Sequence, residues 1–137
     1  MKIGITGTRN ELTEKQIQEL LGVYVRCQEY ADEHNDIVEL HHGDCVGADE
    51  LAAKCAYRGG FKVVCHPPIK EDLRAFAPAH EFREPKNYFE RNRAIVDEVD
   101  MLIVLPMDME HKDKGGTWYT HDYAVKKKVP VRIIWPK

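Results

Sequence analysis

Gly4-Ile5-Thr6-Gly7-Thr8-Arg9 closes a short apolar run, Lys2 to Thr6, with a glycine-bearing turn that ends on a hydroxyl and a fixed cation. Two further turns follow apolar runs in the same way: His42-Gly43-Asp44-Cys45-Val46-Gly47-Ala48-Asp49 and Lys114-Gly115-Gly116-Thr117. Such strand-to-helix turns suit phosphate because the backbone approaches closely, its N–H groups point outward, and the next helix adds a favourable dipole. Three of them at strand ends predict convergence on one crevice.

Around these turns, five short β-branched runs alternate with helical patterns. The runs are Lys2 to Thr6, Ile37 to His41, Phe61 to His66, Met101 to Leu105 and Val129 to Trp135. Several are almost continuously apolar, as strands buried on both sides must be, so the pattern predicts an α/β domain with a mainly parallel five-stranded sheet covered by helices on both faces.

The capping-box pattern Thr13-Glu14-Lys15-Gln16 opens the first helix, with Ile17, Leu20, Leu21, Tyr24, Cys27 and Ala31 on one stripe, and the helix runs to about His34. A second helix starts near Gly47, turns Leu51, Ala52, Cys55 and Ala56 inward, and stops at Gly59-Gly60. A third, Tyr88 to Val99, places Asn92 in the middle of an apolar stripe, with Arg91 and Arg93 flanking it. A last helix follows Gly115-Gly116-Thr117. Between Pro67 and Asn87, four prolines interrupt any helix longer than a few turns, so the segment reads as a long loop, either a lid or a plain surface excursion.

A chain of 137 residues suits a single domain, 1–137, and can bury a core without disulfides or metal. Apolar residues at 43% and charged ones at 31% place it among globular proteins, and no apolar stretch reaches the length of a membrane span. Met1-Lys2-Ile3-Gly4 enters a strand-like run at once, which leaves no room for a leader and predicts a cytoplasmic protein. A formal charge of −3 argues against coating nucleic acid through phosphate contacts alone. Cys27, Cys45, Cys55 and Cys65 form no C-x-x-C pair, so no structural zinc site is expected, and no metal or cofactor is assigned.

In the first turn, Thr8 and Arg9 supply a hydroxyl and a cation beside glycines that a purely structural turn would also use. In the third, Gly115 and Gly116 form a second cradle, while Thr117 either caps the helix or touches ligand. The stretch Met107 to Lys114 reads as a flexible polar excursion. Asp44, Asp49, Asp122, His42, His66 and His121 are the acid–base candidates. Asp49 at a helix start serves equally as a dipole partner, and a hydrogen-bonded structural role suits His42 and His66 at strand ends. Trp118 and Tyr119 either stack on a base or close the core.

Taken in order, His42 to Asp49 with Leu51-Ala52, Arg91-Asn92-Arg93, Asp100 to Pro106 and Gly116-Thr117 resemble the SLOG superfamily, most closely its YspA, cpYpsA-related branch, which opens on a turn like Gly7-Thr8-Arg9. The superfamily also includes the LOG-type phosphoribohydrolases and the DNA-processing protein DprA. The resemblance covers nearly the whole chain and implies a Rossmann-like three-layer fold, pairing into a homo-oligomer, and a small-molecule nucleotide or nucleotide derivative as ligand. The ligand-binding residues it implies are Gly7, Thr8, Arg9, Gly43, Asp44, Gly47, Asp49, Arg91, Asn92, Arg93, Gly115, Gly116 and Thr117.

LOG-type enzymes cleave the N-glycosidic bond of nucleoside 5′-monophosphates with an arginine and a glutamate. Arg91 matches the arginine by its spacing to Asp100. The glutamate position falls on Asp122 if the glycine pair is aligned, and on Thr120 if Gly116-Thr117 is aligned. Binding without assigned chemistry is therefore the first reading. Hydrolysis with Arg91 and either Asp122 or Asp44 as carboxylate is the alternative, and DprA-like handling of single-stranded DNA is the third.

Overall fold

The computed structural model describes residues 1–112 and 114–137, so one position near the end of the polar stretch Met107 to Lys114 lies outside the described residues. Among the described residues six strands and four helices follow in the order β1 (Lys2–Gly7), α1 (Glu14–Glu33), β2 (Glu39–His42), α2 (Ala48–Arg58), β3 (Lys62–Cys65), β4 (Glu81–Phe82), α3 (Tyr88–Glu98), β5 (Met101–Leu105), α4 (Gly116–Lys126) and β6 (Val131–Ile133). The sheet order is β4-β3-β2-β1-β5-β6, and every pairing is parallel.

The expected α/β class and parallel sheet are present, but there is a sixth strand. β4 lies inside the proline-interrupted segment, where Val64 pairs with Glu81 and Cys65 with Phe82. Two residues at a sheet edge leave no periodic apolar signal, because one face of such a strand meets solvent.

The core lies on both sides of the sheet. Ile3, Ile5, Leu40, Val63, Ile103 and Leu105 pack under α1 and α2, while Leu102 and Val104 pack with Val96 of α3 and Ala124 of α4. Alternation along each strand sends neighbours to opposite faces, which is how five consecutive apolar residues in β5 serve two cores.

The predicted capping box of α1 forms in full: Gln16 N–H donates to Thr13 Oγ1 at 3.2 Å, and Thr13 N–H donates to Gln16 Oε1 at 3.1 Å. Gln16 is itself buried, and its Nε2 donates to the carbonyls of Pro106 (2.8 Å) and Ile134 (3.0 Å), tying the ends of two strands to the helix start. Leu21, expected on the inward stripe, is 41% exposed, and Val23 takes the buried place. The chain runs outward from β1 to β4 and then returns to β5 on the other side of β1. That reversal opens a crevice beyond the carboxyl ends of β1 and β5, where open parallel sheets bind ligands.

Candidate functional site

The crevice has a volume of about 530 Å³ and lies between the turn after β1 and the starts of α3 and α4. On one wall, Thr8 N–H donates to Leu105 O at 2.9 Å, which anchors the turn to β5, and Thr8 Oγ1 accepts from Asn10 N–H at 3.0 Å. Arg9 stays exposed on the rim, its Cζ 5.5 Å from the centre of the Tyr88 ring.

On the opposite wall α4 begins at Gly116, and no side chain among the described residues caps it. Its first-turn N–H groups have no intrahelical partner, so the positive helix end and its donors face the crevice. The start of α2 differs, because Ala48 N–H donates to Thr8 O at 2.9 Å, closing that end with backbone. Lys112 and Lys114 line the crevice beside α4, opposite the Arg9 rim.

Asp49 and Arg91 form the floor. The Asp49 carboxylate accepts from Gly43 N–H at 3.0 Å and Cys45 N–H at 3.4 Å. Burial raises its pKa to about 6, although the Arg91 guanidinium pulls the other way. Arg91 is 4% exposed and donates through Nη1 to the carbonyls of Gly43 and, at 3.1 Å, His66, while Nε donates to Asn92 Oδ1 at 2.7 Å. Its Cζ also stands 5.5 Å from the Tyr88 ring centre.

Of the residues expected at the site, Gly7, Thr8, Arg9, Asp49, Arg91, Asn92, Gly115, Gly116 and Thr117 line the crevice together. Gly43, Asp44, Gly47, Arg93 and Asp122 do not. The three turns therefore do not converge as equals. The middle one reaches the crevice through Cys45 and Asp49, while the rest of it lies beneath and supports it. Gly43 is the surface on which Arg91 rests. Gly47 has φ +91°, a conformation L side chains rarely adopt, and a Cβ there would meet Thr8 O at 2.5 Å.

Asp44 is fully buried and accepts from Arg74 Nε at 2.8 Å and Ala77 N–H at 3.0 Å, so it fastens the 67–87 segment to the sheet. Arg93 turns to the surface, where Nη1 donates to Tyr119 Oη at 2.6 Å. Asp122 is held on the outer side of α4 by His111 Nε2 at 2.7 Å and His121 Nδ1 at 2.8 Å. Neither of the carboxylates expected for hydrolysis thus reaches the crevice.

His42 and His66 also lie outside it. His42 Nδ1 accepts from Asp44 N–H at 2.9 Å, and burial lowers its pKa to about 4. No histidine is among the described residues that line the crevice. Cys45, Asp108, Lys112 and Tyr88 line it without having been singled out for it. The Lys112 and Asp108 signal was visible only as the polar insertion after Pro106, and Tyr88 as an apolar position at the start of α3.

No family model matches the chain, and no curated protein matches it. Solved structures do. The molybdenum cofactor binding protein from Rippkaea orientalis superimposes with a TM-score of 0.71 at 20% identity, over 99% of this chain and 77% of that one. The molybdenum cofactor carrier protein from Chlamydomonas reinhardtii gives 0.63 at 18%, over 96% and 74%. DNA processing protein A from Helicobacter pylori gives 0.64 at 17%, over 97% and 64%. At these identities the likeness is one of fold, and it agrees with the Rossmann-like α/β architecture expected from the sequence. No helix among the described residues is long and apolar enough to cross a membrane.

Proposed function

We propose that the crevice binds a phosphate-bearing heterocyclic ligand, a nucleotide or nucleotide derivative, with its phosphate between Arg9 and the start of α4. The observation that carries this reading is the α4 N-terminus, which no side chain among the described residues caps, facing the Arg9 rim across a cleft with two lysines beside it. Free backbone donors and flexible cations on two sides suit a small anion better than an extended polymer. Tyr88, Phe89 and Trp118 line the same space and offer aromatic faces to a heterocycle.

The test is calorimetric titration with nucleoside mono-, di- and triphosphates, together with the molybdenum cofactor for which two of the structural neighbours are named. Micromolar or tighter binding that inorganic phosphate competes for supports the reading. Absence of binding across the panel overturns it. Oligonucleotide binding with a steep salt dependence would instead favour single-stranded nucleic acid, for which the Helicobacter pylori neighbour is described.

A second reading, N-glycosidic cleavage of nucleoside 5′-monophosphates, draws on Asp49. It is a buried carboxylate on the crevice floor whose pKa of about 6 suits proton exchange near neutrality. On this reading Asp49, rather than Asp44 or Asp122, is the carboxylate beside the glycosidic bond. Release of free base from a nucleoside monophosphate, lost in Asp49→Asn and retained in Asp122→Asn, supports it. No release by the wild type removes it while leaving binding intact.

A further inference from the structure

On the face of the sheet that α3 covers, three side chains from separate elements meet away from the crevice. Leu40 of β2 points into the core beneath α1 and α2, so alternation sends its neighbour His41 to the opposite face. His66 follows the end of β3, and Glu98 closes α3. His41 Nδ1 lies 2.9 Å from His66 Nε2, His66 Nε2 lies 3.4 Å from Glu98 Oε2, and the third side of the triangle is 4.0 Å.

His41 Nε2 is 3.1 Å from Glu39 Oε1, so in the neutral ring that nitrogen carries the hydrogen and Nδ1 presents a lone pair to His66. His66 Nε2 then has one hydrogen for two acceptors, His41 Nδ1 and Glu98 Oε2. Glu98 Oε2 also accepts from Arg83 Nε at 3.2 Å, so that hydrogen can serve His41 Nδ1; a single cation at the centre would take its place and engage all three atoms.

We propose that His41, His66 and Glu98 bind one divalent transition-metal ion of the zinc type. Tetrahedral ligand bonds of about 2.0 to 2.1 Å put neighbouring donor atoms roughly 3.4 Å apart, and the three separations bracket that spacing. Two imidazoles and a carboxylate suit zinc, cobalt, nickel or copper better than magnesium or calcium. The surrounding contacts are those that orient metal ligands. Glu39 holds the remote nitrogen of His41, and Arg83 grips Glu98 with Nη2 at 2.9 Å from Oε1 and Nε at 3.2 Å from Oε2.

Lys62 and Arg83 pair with Glu81 and Glu98, and Glu39, whose partner is His41, leaves the surroundings acidic. The Glu98 side chain is 32% exposed, which leaves a path for the ion and a water as fourth ligand. The ion ties the sheet to the end of α3. Because the His66 carbonyl accepts from Arg91, it also steadies the crevice floor. Cysteine spacing, which predicts no zinc site, carries no information about ligands that meet from three elements.

The experiment titrates chelator-stripped protein with Zn²⁺ and, for its visible spectrum, Co²⁺. One ion per chain, a raised melting temperature and a Co²⁺ ligand-field spectrum are expected, with affinity roughly tenfold or more weaker in Glu98→Gln. A second cluster joins His111, which precedes α4, to His121 and Asp122 on its outer side, and Asp122→Asn controls for it. Affinity lost in Asp122→Asn and kept in Glu98→Gln overturns the proposal, as does the absence of stoichiometric binding. Should loss of the Arg83 pair unfold Glu98→Gln, Glu39→Gln reads the same site through the His41 orientation. A weakened Co²⁺ complex there supports the proposal, and an unchanged one overturns it.

Discussion

The Arg91 guanidinium lies flat against Gly43, so close that a Cβ at position 43 would stand 2.5 Å from its Cζ. Arg91 donates to the Gly43 and His66 carbonyls there, joining α3 to the ends of β2 and β3. Gly43→Ala is therefore expected to cost about 1 to 3 kcal/mol of stability by overpacking. Arg91→Ala leaves buried carbonyls without a donor, at about 1 to 3 kcal/mol for each group. Once Arg91 is gone the added methyl has room, so the double variant should lose less than the two single losses combined, measured by urea denaturation. Strict additivity would show that the two residues do not share this contact.

Arg9 is the contrasting case, because it is exposed and, among the described residues, its charge meets only the Tyr88 ring. Arg9→Ala should leave the urea midpoint within about 0.5 kcal/mol of wild type. It should weaken a phosphate-bearing ligand by about 1.5 to 3 kcal/mol, the scale of a hydrogen bond to a charged group. Titration calorimetry against the same nucleotide measures the second quantity. Unchanged affinity would put the phosphate elsewhere in the crevice.

The difference between these arginines marks where sequence reading reaches its limit. Strand and helix positions were legible because burial on two faces forces continuous apolar runs and helix starts need capping residues, as Thr13 and Gln16 illustrate. The crevice was legible in outline because glycine turns at strand ends must come together in a parallel sheet. Whether an arginine beside such a turn faces ligand or packs under it depends on the neighbouring element, and Gly43 is distant in sequence from Arg91. The same holds for Asp44, whose partners Arg74 and Ala77 lie in a segment with no periodic signal, and for the His41–His66 contact across two strands.

Asp49 gives a pH dependence whose sign can be isolated. Burial raises its folded pKa to about 6 from an ordinary value of 3.8. Between those values the folded protein holds a proton the unfolded chain releases, so acidification stabilises the fold through this group. Buried His42, lowered to about 4, works in the opposite direction because the unfolded chain takes up its proton first. That contribution is common to wild type and Asp49→Asn and cancels in their difference. The stability of wild type relative to Asp49→Asn should therefore rise as pH falls through 6 and level off below about 3.8, followed by urea denaturation at each pH. A difference independent of pH would show that Asp49 titrates normally.

Asp44 separates a structural carboxylate from a catalytic one. Its side chain is fully buried and accepts from Arg74 and from Ala77 N–H, while its own carbonyl accepts from Ala75 N–H at 2.7 Å. Nearby, Val46 N–H donates to Leu73 O at 2.9 Å, so the 67–87 segment is fastened to the middle turn by several bonds centred on this residue. Removing one member of a buried ion pair costs about 3 to 5 kcal/mol. Arg74, with 16% of its side chain exposed, can turn toward water and brings Asp44→Ala to the lower end of that range. Faster hydrogen exchange and proteolytic cleavage should appear within 67–87 first, ahead of global unfolding, because the bonds lost are those that hold this segment. Asp44→Asn keeps an oxygen for Ala77 N–H and should show a smaller effect of the same kind. If either variant instead kept its stability and exchange pattern while losing ligand turnover, Asp44 would have to act on the ligand itself, which its burial beneath the crevice argues against.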